Sequence, residues 1–437
     1  MHVSEAMHVP DAMHVPEAMY VIAHIASVEL VRYNARTLFE ILAMPHSHFW
    51  RDSSPAHATA GFVAVLVGYS SSAIIIFQAA AAAGASPSQI GAWLSALGLA
   101  MGITSIGLSL RYRQPILTAW STPGAALLAV SLPGSSLNEA IGVFMFCALL
   151  VLICGITGWF ARLMQVIPQS IAAAMLAGVL LRFGLDAFVS LGHEFTLVLV
   201  MLATYLIAKR WLPRYAILLV LTLGLACAAA LGKIDTAAAR WSFALPSAVM
   251  PHFSLASLLG IGLPLFVVTM ASQNAPGVAT LRAAGYDTPI SPLMIWTGIA
   301  TLLLAPFGAF SVCLAAITAA ICMGGDVHAD PARRYPAAVW AGLFYLLAAV
   351  CGGSIGSLFD ALPRELVLAL AGLALLPTIA SSLHRALREE AQREPALITF
   401  LVTGSGVSLF GIGSAFWGLV AGMLALGIAG FRRRSRF

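Results

Sequence analysis

Apolar runs of about 20 residues recur between Thr59 and Gly430, each long enough to cross a ~30 Å hydrocarbon layer as a helix. Nothing in the sequence constrains the fold more. Inside lipid a backbone must satisfy its own N–H and C=O groups, which leaves helices or closed barrels. A barrel would need alternating segments of about 10 residues, and this sequence has none. Hydrophobic residues fill 60% of the 437 positions and charged ones 9%, against roughly a quarter charged in a soluble domain. So few charges cannot clothe a water-facing surface, and most of the exterior must face lipid. The chain therefore reads as an all-α integral membrane protein that moves a small solute, not a soluble enzyme. Its net charge of +5 sits between apolar runs, where basic residues set topology rather than bind nucleic acid.

Proline, glycine and charge divide the apolar sequence into fourteen segments. They cover 58–80, 88–110, 115–130, 137–160, 168–191, 194–211 and 214–232, then 254–281, 289–308, 311–324, 335–358, 363–383, 394–410 and 412–430. The domain plan is an N-terminal tail over 1–57, a first repeat over 58–232, a linker over 233–253, a second repeat over 254–430 and a basic tail over 431–437. In the first tail MHVSEA, MHVPDA and MHVPEA are near-copies of one hexapeptide. Too short to bury a core, they read as a non-structural tail, a start placed too far upstream or a cytoplasmic appendage. Residues 20–43 suit a surface helix, and no signal peptide is visible. With both ends inside, the inner loops collect most of the basic residues, from Arg51, Arg111 and Arg113 through Arg385, Arg388 and Arg393 to Arg432, Arg433, Arg434 and Arg436. The outer loops hold Lys233, Arg240 and Arg364, a bias that places both termini in the cytoplasm.

The halves resemble each other. Gly84 to Pro87 closes segment one as Gly285 to Pro289 closes segment eight, and Pro168 before Leu176-Ala177-Gly178 parallels Pro363 before Leu370-Ala371-Gly372. Seven being odd, two such halves lie in the membrane with opposite orientation, the inverted repeat of secondary transporters. Segments three and ten are too short to span and start with awkward backbone, Gln114-Pro115 through Pro123-Gly124 and Pro306-Phe307-Gly308. A short extended stretch followed by a half-helix is tolerated at membrane depth only where it lines a protein-walled cavity. Two half-helix N-termini, each worth about half a positive charge, would converge there on an anion. In the competing reading these prolines merely kink ordinary helices.

Segment eight holds the most polar run within an apolar stretch, Thr269 to Gly277. Burying Ser272, Gln273 and Asn274 unpartnered would cost several kcal/mol. Amide donors and acceptors suit a carboxylate and its water; bonding between helices is the competing role. Tyr69, Ser70, Ser71, Ser72 and Gln78 make a weaker polar face on segment one. Arg182 and Asp186 stand four apart on segment five, as an ion pair or with Asp186 as a proton carrier. His193-Glu194 reads as a solvated pair at an outer turn. Asp326, His328 and Asp330 fit no strong metal site. Six cysteines lie in apolar segments without a CxxC pair and read as packing residues. No metal or cofactor is expected, and no nucleotide-binding or nucleophile motif appears.

The run Thr269 to Tyr286, together with Leu304 to Phe310, Ala315 to Gly324, Thr118 to Gly124 and Gly411 to Gly418, resembles the benzoate:proton symporter family over about residues 58 to 430. The resemblance implies proton-coupled uptake of benzoate or a related aromatic carboxylate across a bacterial inner membrane. It also implies the seven-plus-seven inverted repeat of the uracil permeases and anion transporters, open to assembly as a homodimer. There a core domain of segments one to four and eight to eleven moves against a gate of segments five to seven and twelve to fourteen. The substrate would then lie among Ser121, Thr122 and Gly124, Ser272, Gln273 and Asn274, and Ala316, Ile317 and Thr318, with Trp120, Phe307 and Phe310 against the ring. Uracil permeases carry acids on segments eight and ten, where this chain has Ser272 or Gln273 and Ile317. Removing acids suits an anionic substrate and leaves the proton's route open, with Asp186 as the candidate. A nucleobase or inorganic-anion carrier of this architecture and a passive pore are the competing functions.

Overall fold

The computed structural model describes residues 47–434 apart from 161, 163–167, 214, 236–246 and 355–360. The hexapeptides, residues 20–43, Arg240, Arg436 and the middle of the linker lie outside the described residues. After a short α1 (Ser47–Asp52), the first half runs α2 (Pro55–Ala82), α3 (Pro87–Tyr112), β1 (Thr118–Trp120), α4 (Thr122–Ser131), α5 (Leu137–Thr157), α6 (Gln169–Val189), α7 (Phe195–Trp211) and α8 (Ala216–Ala230). The second half runs α9 (Leu255–Ala283), α10 (Ile290–Leu304), β2 (Val312–Leu314), α11 (Ile317–Cys322), α12 (Tyr335–Val350), α13 (Arg364–Leu387), α14 (Arg393–Gly404) and α15 (Ser414–Arg434). Among the described residues seven helices are long and apolar enough to cross a membrane: α2, α3, α5, α6, α9, α10 with its following turn, and α13.

Local chemistry sets the helix starts. Ser54-Pro55 and Ser86-Pro87 put a cap before a proline whose missing N–H is not needed in a first turn. His57 and Gln89 close the two caps, accepting from the backbone N–H of Ser54 (3.1 Å) and Ser86 (2.8 Å). In α9 two π-helical turns, Leu258–Gly262 and Met270–Asn274, interrupt the α-helix. Each precedes a proline, Pro264 and Pro276, and a proline crowds the carbonyl four residues back. Those carbonyls belong to Gly260 and Ser272, inside the widened turns, which relieve the clash.

Tertiary pairing follows a pattern. Helix α3 packs on α12 and α10 on α5, while α6 packs on α13 and α14, α14 on α15, and α7 on α8. Exchanging each segment for the one seven places away turns the α3–α12 pair into α10–α5 and leaves α6–α13 unchanged. Small residues allow the close contacts, as lipid-embedded helices require. Gly102 and Gly342 face each other so tightly that a methyl group on Gly342 would meet Ile106 Cγ1 at 2.5 Å and the Gly102 carbonyl at 2.9 Å. The substitution Gly342→Val should therefore destabilise the fold by about 1–3 kcal/mol through overpacking. A melting temperature in detergent equal to that of the unaltered chain would contradict this packing.

Candidate functional site

The two short segments meet in the interior, where β1 and β2 pair antiparallel with Thr118 opposite Leu314, Ala119 opposite Cys313 and Trp120 opposite Val312. Two strands cannot satisfy all their own backbone groups, and an orphaned buried N–H is costly. Neighbouring helices supply the partners. Ser105 of α3 accepts from the Thr118 N–H (3.0 Å), Thr301 of α10 from the Val312 N–H (3.1 Å) and Asn274 of α9 from the Leu314 N–H (2.9 Å). The Thr118 hydroxyl joins Thr104 (2.6 Å) and Ser105 (2.9 Å). Beyond β1, Ser121 caps α4 by accepting from the Gly124 N–H at 3.0 Å. Thr269 lies 3.2 Å from the Ser121 hydroxyl and 3.1 Å from that of Ser311, so α4, α9 and the start of β2 share one buried hydroxyl cluster.

An aromatic group flanks this crossing. Trp120 donates its indole N–H to Ser72 at 2.8 Å, and Tyr69 stands edge-on to Trp120 with ring centres 4.7 Å apart. Tyr345 completes the group 6.1 Å from Tyr69. The Tyr69 hydroxyl is buried without a hydrogen-bond partner among the described residues, an incomplete donor of the kind that marks a ligand or water position.

The residues expected to bind substrate divide by role. Ser121 and Asn274 are fully buried and committed to protein partners, so Asn274 anchors β2. Gly124 is buried and pressed against Leu265. Ser272 is half-buried and donates to the Val268 carbonyl at 2.5 Å. Gln273 is half-buried, and its amide bonds to no described residue. Thr122, Ala316 and Thr318 are half-buried, whereas Ile317 is 79% exposed and walls no enclosed pocket here. Helix α11 spans six residues and α4 ten.

Phe310 is wholly buried between Trp93 and Phe144, which makes it a core residue rather than a ring contact. Arg182 is exposed and forms no ion pair with half-buried Asp186, contrary to the pair that their spacing offered. Glu194 of the His193-Glu194 turn pairs with Lys233. Asp330 caps the turn after it by accepting from the Ala332 N–H, and His328 accepts from the Asp330 N–H.

On another face of α9 a cavity of about 230 Å³ opens toward α6 and α13, with Ser272 in its wall. Sequence reasoning passed over Ser105, Thr301 and Ser311, since an isolated hydroxyl in an apolar stretch carries no spacing signal. The π turn around Ser272 had one, Pro276 just after a polar run.

The family profile described as benzoate membrane transport protein matches residues 51–428. The inner membrane protein YdcO of Escherichia coli (strain K12) is 54% identical over 368 residues, covering 84% of this chain and 94% of that protein. The benzoate membrane transport protein of Acinetobacter baylyi (strain ATCC 33305 / BD413 / ADP1) is 44% identical over 375 residues, covering 86% and 95%. Among solved structures, the transmembrane domain of a cyanobacterium bicarbonate transporter, BicA, matches with a TM-score of 0.57 at 13% identity, covering 84% of this chain and 97% of that one. At such identity the likeness is one of fold.

The bonding at the crossing predicts that Asn274→Ala destabilises the protein by about 1–3 kcal/mol, because the Leu314 N–H loses its acceptor. Unchanged thermal stability of the purified variant would refute the anchoring role.

Proposed function

The chain belongs to the family of benzoate membrane transport proteins, a family of multi-pass membrane transporters, and from that premise we propose that it carries benzoate or a related aromatic carboxylate together with protons by alternating access. One observation carries the reading. Two broken segments cross in the interior at β1 and β2, with the unpartnered Tyr69 hydroxyl against Trp120 and the uncommitted Gln273 next in sequence to the Asn274 that holds β2. Donors without protein partners next to apolar rings suit an aromatic carboxylate. Within this reading Gln273 and Thr122 contact the substrate, Thr318 lies at the same end of α11, and Ser121, Gly124 and Asn274 hold the frame.

We read the fourteen segments as an inverted seven-plus-seven repeat, with segments three and ten entering the bilayer only partway. The exchange symmetry of the helix pairs supports this. The dense pairing of α6, α7, α8, α13, α14 and α15 among themselves, and of the remaining helices among themselves, supports a gate moving against a core. The excess of arginine on one side supports cytoplasmic termini, and the name of the Escherichia coli relative supports an inner membrane. Asp186, half-buried and without a basic partner among the described residues, is the candidate proton carrier. A homodimer, with lipid around it, is the assembly we assign.

Proteoliposomes with an imposed pH gradient test this directly. Saturable accumulation of labelled benzoate that collapses with a protonophore is expected; accumulation of uracil or sulfate instead, or flux without saturation, would overturn it. Gln273→Ala should raise the half-saturating benzoate concentration roughly tenfold at unchanged thermal stability, as loss of a hydrogen bond to a charged group implies. Wild-type kinetics would remove Gln273 from the site. Asp186→Asn should retain counterflow but lose accumulation driven by the pH gradient, and normal accumulation in that variant rules out Asp186 as the carrier.

A further inference from the structure

The cavity between α6, α9 and α13 has a chemistry that the strand crossing does not use. Ala172 of α6 and Ala271 and Ala275 of α9 give it short apolar walls, and its polar lining residues are Ser272 and the exposed Gln169 and Arg385. No carboxylate lines it. Arg385, in the last turn of α13, forms neither an ion pair nor a hydrogen bond with any described residue. Glu389, one turn further on, accepts from Gln392 instead. Helix α6 begins at Gln169 with no side-chain cap, so the positive end of a 21-residue helix meets the same space.

An arginine without a partner at the rim of alanine walls is complementary to a flat apolar body bearing one carboxylate, which accepts two parallel N–H bonds from arginine. Size agrees as well: an apolar cavity of about 150 Å³ takes up benzene, and this one measures about 230 Å³.

We propose that this cavity is a second station for the transported aromatic carboxylate, with Arg385 as its charge partner. The inference rests on the transport reading above and adds a residue to it. An occupant here would touch α9 on one side and α6 and α13 on the other, the two groups of helices proposed to move. The carboxylate would pass from the crossing along the Ala271, Ser272 and Ala275 face of α9 to the end of the helices that carries Arg385.

Equilibrium binding of labelled benzoate to the full chain in nanodiscs, measured across ionic strengths, provides the test. Arg385→Gln should weaken binding by about fivefold at low salt, the scale of a partly exposed ion pair, and should flatten its salt dependence. Arg385→Lys should retain most of both. Competition by benzamide, a neutral isostere, should be the same in all three proteins, which a merely structural role for Arg385 would not produce. Gln169→Glu adds an opposing charge at the same rim with Arg385 in place and should weaken benzoate in the same sense. That variant keeps the question decidable if Arg385→Gln does not fold. Benzoate affinity within twofold of the unaltered chain in Arg385→Gln, or in Gln169→Glu where the former does not fold, overturns the proposal. Failure of the unaltered chain to bind any aromatic carboxylate would instead strike the transport reading itself.

Discussion

Extended backbone in the interior of a membrane protein is possible only if every N–H it exposes finds an acceptor, and the rest of this structure is arranged around that requirement. The β1–β2 crossing meets it with Ser105, Thr301 and Asn274, each from a different helix. These three side chains fix the distance of α3, α9 and α10 from the strands. Close to them, the Tyr69 hydroxyl stays buried against Trp120 with no hydrogen-bond partner among the described residues.

Helix α9 shows how structure and function share one run of residues. Pro276 forces a wide turn around Ser272, and within that turn consecutive polar residues take different tasks. Ser272 bonds its own helix beside the cavity, Gln273 remains uncommitted, and Asn274 secures β2. A regular α-helix would advance side chains by a fixed angle; the extra residue in the turn alters which of them reach the strands.

Contacts such as Gly102 against Gly342 lock helices together within one group, whereas the cavity lies between α9 and the α6–α13 pair. Tight packing inside each group and open volume at their seam are what a rigid-body motion needs, since packed interiors do not deform continuously.

Much of this was legible in the sequence. Hydropathy and breakers marked the seven helices long enough to cross a membrane, because a ~30 Å apolar layer imposes a length that no soluble fold shares. The proline-rich starts of segments three and ten coincide with the short strands β1 and β2 and the short helices beside them, and the polar run from Thr269 to Gly277 with the wide turn whose Asn274 bonds β2. The separate tasks of Ser272, Gln273 and Asn274, the exposure of Ile317, the burial of Phe310 among Trp93 and Phe144, and the unpaired state of Arg182 and Asp186 were not legible. Those depend on which partner stands opposite each side chain in the assembled fold, whether four residues away, as Val268 from Ser272, or more than a hundred, as Trp93 and Phe144 from Phe310. A hydrogen bond or an open cavity belongs to the assembled helices, and one helix carries no record of what it will face.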